Sequence, residues 1–202
     1  MNEIVPGIHM WSSFSEDLGL DFNGYAVRTS AGTVVVDPPD PGPDGWDALE
    51  ALAPFEGIYV TNRNHSRAGA AFRNRLGVPI RMHAADADQA EIAVDELVGA
   101  ERTIGDEVEI VHVPGKSPGE IAFHVQGSGA LVVGDLVIGP PGADLSTYPD
   151  EVIEDRRQLL RSVERLLMLD FDALLLCDGE PSPTGGKERL QRFVEATRAG
   201  PP

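Results

Sequence analysis

Four apolar runs in this chain each stop abruptly at a polar loop, and that rhythm constrains the fold more than any other feature. Gly57 to Thr61 (GIYVT) runs into Asn62 to Arg67. Val108 to Val113 (VEIVHV) runs into Pro114 to Gly119, the loop that carries Lys116. Ala130 to Val133 stops at Gly134-Asp135, and Asp172 to Cys177 (DALLLC) stops at Asp178. Short apolar runs bounded by turn formers read as buried strands. The polar loops at their ends are where chemistry is expected.

Between these runs the periodicity alternates. Leu20 to Thr29 and Thr33 to Val36 flank a Ser-Ala-Gly turn and read as an antiparallel hairpin. Asp37 to Pro43, with its four prolines, can be neither helix nor central strand. A short helix is expected near Asp44 to Leu52, and another over Ala68 to Leu76, stopped by Gly77. Val78 to Met82 reads as strand, Ala84 to Leu97 as mostly helix. Glu120 to Val125 and Ala130 to Val133 form a second hairpin around Gln126 to Gly129. A long amphipathic helix is expected from Pro149 to Leu169, and a last one from Gly185 onward. Two halves, each of strands then helices, predict an α/β (α+β) fold: a four-layered αββα sandwich, one domain over residues 1–202.

Composition excludes several functions. The chain has 33 acidic and 16 basic residues, a formal charge of −17, which disfavours nucleic acid and anionic membrane surfaces as partners. Its single cysteine forms no internal disulfide and no cysteine-rich zinc cluster. No apolar run is long enough for a membrane span, and the first residues do not resemble a signal peptide, so a cytoplasmic protein is expected. Phosphate-loop, dinucleotide, nucleophile-elbow and H-E-x-x-H motifs are absent.

The order and spacing of the loops resemble the metallo-β-lactamase fold of metal-dependent hydrolases, the glyoxalase II-like branch especially. The family's T-H-x-H-x-D-H-x-G matches Thr61-Asn62-Arg63-Asn64-His65-Ser66-Arg67-Ala68-Gly69. Its PGHTPG-like loop matches Pro114-Gly115-Lys116-Ser117-Pro118-Gly119. Its G-D matches Gly134-Asp135, and its last G-H-G-like loop matches Cys177-Asp178-Gly179. Asn23-Gly24-Tyr25 and Val36-Asp37 match its opening. The resemblance implies two metals, commonly zinc, and hydrolysis. By the same resemblance, the first metal's ligands stand here as Asn62, Asn64 and Lys116. Those of the second are Ser66, Arg67 and Asp178. Asp135 alone survives in kind, and His65 falls on a spacer position.

Arginine and lysine are cations rather than metal ligands. Zinc about 5 Å from either would meet roughly 6 kcal/mol of repulsion at an effective dielectric near 20. The expectation is therefore a degenerate site without metal or other cofactor, in which Arg67 and Lys116 bridge Asp135 and Asp178. Such a site would be structural or would bind a small anionic or polar ligand. The alternative is a hydrolase of a small ester, thioester, lactone or phosphoester. It would use no metal, or a single one held by His65, Asp135 and Asp178. His65, with Asp135, is the candidate catalytic residue, because imidazole titrates near neutral pH; packing or capping the next helix is its preferred role. Asn62, Asn64, Ser66, Arg67, Lys116, Asp178 and Tyr148 are the candidate ligand-binding residues. Ser66 suits a helix N-cap, Tyr148 lies in the insert after Asp135, and Cys177 reads as an inert core residue.

Overall fold

A computed structural model describes residues 1–99 and 102–199. Seven strands form the first sheet in sequence order: β1 (Asn2–Val5), β2 (Ile8–Ser15), β3 (Leu20–Thr29), β4 (Gly32–Val36), β5 (Phe55–Val60), β6 (Ile80–His83) and β7 (Glu96–Val98). The first four are antiparallel; β4 to β7 run parallel to one another. The second sheet has the order β12-β11-β10-β9-β8, with β8 (Arg102–Ile104), β9 (Val108–His112), β10 (Ile121–Val125), β11 (Ala130–Val133) and β12 (Ala173–Leu176). Only the β11–β12 pair is parallel.

The apolar runs lack polar alternation because both faces of each sheet are covered. In β4, Val34 and Val36 enter the core between the sheets, while Val35 joins the layer beneath the helices. Successive side chains point to opposite faces of a strand. The same division separates Ala130 and Val132 from Leu131 and Val133 in β11, and Ala173 and Leu175 from Leu174 and Leu176 in β12. Helices α1 (Gly42–Glu50) and α2 (Gly69–Leu76) cover the first sheet through Leu49 and Phe72. Helices α4 (Arg156–Leu166) and α5 (Gly186–Ala199) cover the second through Leu159, Val163, Leu166 and Leu190. The result is the αββα sandwich. Among the described residues no helix is long and apolar enough to cross a membrane.

Two helical expectations fail, and both failures bear on the site. Residues 84–97 are not mostly helix: α3 covers only Ala84–Ala87, and Glu96–Val98 is a strand. Pairing of β7 with Arg81–His83 overrides local helix propensity. Asp86 also turns inward to serve two loops. It accepts from Ser117 Oγ at 2.5 Å, Gly119 N at 2.9 Å and Arg63 N at 3.1 Å. The long helix from Pro149 is likewise broken. Asp150–Val152 is a single 3-10 turn, and α4 starts at Arg156, capped by the Asp155 side chain accepting from Gln158 N at 2.8 Å. The intervening backbone bonds the lysine loop instead, Asp155 N to Gly115 O at 2.9 Å and Glu154 N to Lys116 O at 3.3 Å. Gly115 allows this approach. A Cβ there would lie 2.3 Å from Leu159 backbone atoms, and its φ of +150° is one that L side chains rarely adopt.

Candidate active-site rim

Strands β4, β5, β11 and β12 end at the same rim, and the residue types just beyond them set its chemistry. Asp37 follows β4, the loop with His65 and Arg67 follows β5, Asp135 follows β11 and Asp178 follows β12. The lysine loop after β9 completes the set. Asp37 and Arg67 hold φ at +44° and +37°, unusual for residues with side chains. Both strained residues stand at the rim, as functional sites often show.

His65 lies at the centre, almost fully buried. Its Nδ1 is 2.7 Å from Asp37 Oδ2, and its Nε2 is 2.8 Å from Asp135 Oδ1 and 3.6 Å from Asp178 Oδ2. With a carboxylate at each nitrogen, the ring is an imidazolium donating both protons. Burial alone would lower its pKa. Asp135, followed by Asp37 and Asp178, outweighs that and the opposing charge of Arg67, so the pKa is raised well above the ordinary histidine range. Asp37 is also held by Thr61, whose N donates to Oδ1 at 2.8 Å and whose Oγ1 donates to Oδ2 at 2.5 Å. Burial would raise the carboxyls of Asp37, Asp135 and Asp178, but His65 and the neighbouring cations bring each below its usual range.

Each expected cation takes its own carboxylate. Arg67 Nη2 pairs with Asp178 Oδ1 and donates to Cys177 O at 3.1 Å. Its Nη1 donates to Asn23 O at 2.9 Å and Asp37 O at 3.1 Å, and the guanidinium covers the Phe22 ring at 4.6 Å. Lys116 Nζ lies 3.2 Å from Asp135 Oδ2 and 5.6 Å from the Tyr148 ring centre. Tyr148 donates its hydroxyl to Asp178 Oδ2 at 2.5 Å. Neither Arg67 nor Lys116 bridges Asp135 and Asp178; His65 occupies the position between them. Three carboxylates thus meet three cations, and the cluster is neutral with His65 protonated.

The structure sorts the other candidates. Asn64 lines the cavity above the cluster. Asn62 is buried beside it and stiffens the loop, its Oδ1 accepting from Asn64 N at 2.9 Å. Ser66 does not cap α2: Ala68 holds that position, and the Ser66 hydroxyl is buried with no hydrogen-bond partner. His65 likewise faces the carboxylates rather than capping the helix. Cys177 is buried with its thiol pKa pushed up, chiefly by burial, so it stays protonated.

Asp37, Asp86 and Glu120 are the residues that sequence reasoning did not single out. Glu120 is fully buried beside the cluster, with both carboxylate oxygens unpartnered. Burial first, then the charge of Asp135, raises its pKa well above the carboxylate range. An aspartate directly after the apolar run Val34 to Val36, and the match of Val36-Asp37 to the family's opening, were the available signals for Asp37.

Among the described residues, two groups bring metal-type donors within 4.8 Å of one another: Asp37, His65 and Cys177, and His65, Asp135 and Asp178. In the first, burial raises the pKa of the cysteine thiol, whereas zinc binds the thiolate. In the second, Arg67 and Lys116 already stand on the two carboxylates. Above the cluster opens a cavity of about 400 Å³ whose walls include Leu18, Phe22, Tyr148, Pro149 and Val152. A larger open trough of about 670 Å³ shares Asn64 and Val152 with it but does not reach the buried cluster.

A family model described as the metallo-beta-lactamase superfamily matches residues 2–197. Among solved structures, TTHA1623 in a di-iron-bound form is 24% identical, with a TM-score of 0.66, covering 88% of this chain and 96% of that one. DIM-1 metallo-beta-lactamase exposed to ceftazidime is 16% identical, with a TM-score of 0.75 and coverage of 97% and 96%. An archaeal superfamily protein, ST1585 from Sulfolobus tokodaii, is 12% identical, with a TM-score of 0.72 and coverage of 96% and 87%. At these identities the structural likeness establishes the fold alone.

Proposed function

We propose that this chain, which belongs to the metallo-beta-lactamase superfamily, uses the rim of the fold as a metal-independent binding site for a small molecule. One observation carries this reading: every carboxylate of the central cluster already has a protein cation against it. Asp178 has Arg67, Asp135 has Lys116 and His65, and Asp37 has His65. A divalent ion among these carboxylates would face the charges of all three cations. Arg67 and Lys116 would each repel a divalent ion about 5 Å away by roughly 6 kcal/mol at an effective dielectric near 20, and His65 would have to give up its proton to become a ligand.

Binding is favoured over turnover by the state of His65. An imidazolium fixed between carboxylates has no free lone pair near neutral pH, so it is not a general base. Ser66 has no base within hydrogen-bonding distance, and the Cys177 thiol remains protonated. The two positive-φ residues, Asp37 and Arg67, fix the backbone of the floor.

Thermal unfolding with excess chelator and with excess zinc tests the reading. A ligand of the folded state at 100 times its Kd stabilises by about 2.7 kcal/mol. The expected result is an unchanged Tm in both. A fall with chelator, or a rise of several degrees with zinc, contradicts the reading.

A further inference from the structure

We infer that the cavity above the cluster selects an uncharged small molecule with an apolar body and a carbonyl-type acceptor, which Lys116 receives. This deepens the metal-independent reading and rests on it, because the argument requires a floor without a metal charge. The first observation is the wall. Leu18 and Val152 stand at the mouth and are about half exposed, at 50% and 52%, unusual for large apolar side chains. Phe22 and Tyr148 continue the apolar surface inward, and the exposed Pro149 adds to the rim. A volume of about 400 Å³ suits a small organic ligand, and apolar walls with a few convergent polar groups are the usual form of such sites.

The second observation is the floor. Asp37, Asp135 and Asp178 balance His65, Arg67 and Lys116, so a charged head group gains no net attraction and still loses its hydration. Lys116 nevertheless retains donors. It carries three N–H groups and, among the described residues, pairs only with Asp135. Its ammonium borders the cavity and lies against the Tyr148 ring. A ketone, ester or amide oxygen can accept there without displacing Asp135. A carboxylate would compete with Asp135 for the same cation, and an ammonium would meet Lys116 and Arg67.

Three probes of matched body and different head decide the matter: 4-phenyl-2-butanone, 3-phenylpropanoate and 3-phenylpropylammonium. Affinities are measured by NMR titration of the full chain, with metal content determined on the same sample. The expected result is millimolar binding of the ketone, the range for about eleven heavy atoms at ~0.3 kcal/mol each. Each ion should bind about tenfold more weakly. Leu18→Asp, at an exposed position, should weaken the ketone at least about fivefold while leaving the Tm unchanged; Lys116→Met should weaken it likewise while lowering the Tm. Metal-free protein that binds an ion as well as the ketone, or a Leu18→Asp protein with undiminished affinity, overturns the inference and leaves the metal-independent reading standing. Bound metal in that sample overturns both.

Discussion

The Nε2 of His65 stands 2.8 Å from Oδ1 of Asp135, with both groups buried. The other nitrogen of the ring is engaged equally closely by Asp37, at 2.7 Å. A neutral ring would leave one nitrogen lone pair facing a carboxylate. His65 is therefore expected to remain doubly protonated at pH 8, where a free histidine of pKa about 6.5 is neutral. Nitrogen-15 NMR of the imidazole checks this. Two protonated-type nitrogens, unchanged from pH 6 to pH 8, are the predicted result; a titration near 6.5 contradicts the arrangement.

Lys116 and Asp135 form the other half of the same balance. Lys116→Met leaves an extra uncompensated negative charge in a buried cluster, a change that typically costs about 3–5 kcal/mol. Urea unfolding of Lys116→Met is expected to show a loss in that range. Adding Asp135→Asn should recover less than the full loss, because His65 then also lacks its partner. A loss below about 1 kcal/mol would mean that the pair is solvated rather than buried.

Glu120 should make the protein less stable as pH rises. Its folded-state pKa is raised, so between the unfolded carboxylate value near 4.3 and that higher pKa the folded state holds a proton the unfolded chain has lost. Stability then falls by about 1.4 kcal/mol per pH unit for one proton. His65, also raised, adds a further decline above about 6.5, the unfolded histidine value. Asp37, Asp135 and Asp178 are lowered; their contribution is complete above about 3.9 and is lost as pH falls through their folded-state values. Glu120→Gln should flatten the decline that begins as pH rises above about 4.3. Unfolding free energies across that range are the measurement, and an unchanged slope refutes the assignment.

Asp86 should couple the two loops that carry the cations. It binds Arg63 in the histidine loop and Ser117 and Gly119 in the lysine loop. Hydrogen bonds to a charged group contribute about 1.5–3 kcal/mol each before context reduces the sum. Asp86→Ala is expected to cost about 3 kcal/mol and to raise amide exchange in both loops. Exchange raised near residue 86 alone would contradict the coupling.

The sequence foretold the layers better than it foretold the site. Runs such as Val34 to Val36 and Ala130 to Val133 are apolar throughout, because one set of residues faces the opposite sheet and the other faces helices. Gly77, with φ of +69°, ends α2 as its position implied. Residues 84–97 misled because Asp86 is directed by loops distant in sequence. Asp155 ended the expected long helix by capping a new one. At the site, family spacing marked the positions of Arg67, Lys116, Asp135 and Asp178. It placed His65 as a spacer, because spacing alone does not say which way a loop side chain points. Here Arg67 has a φ of +37°, and the direction of the imidazole follows from the loop's three-dimensional path.

Protein cations are proposed to stand where metal would otherwise bind at this rim. The most direct test is elemental analysis by mass spectrometry of protein produced in medium supplemented with zinc and iron, then purified without chelators or metal-affinity resin. The account predicts zinc and iron far below one atom per chain, with the protein folded. One or more atoms of either metal per chain, lost on Asp135→Ala, would contradict it.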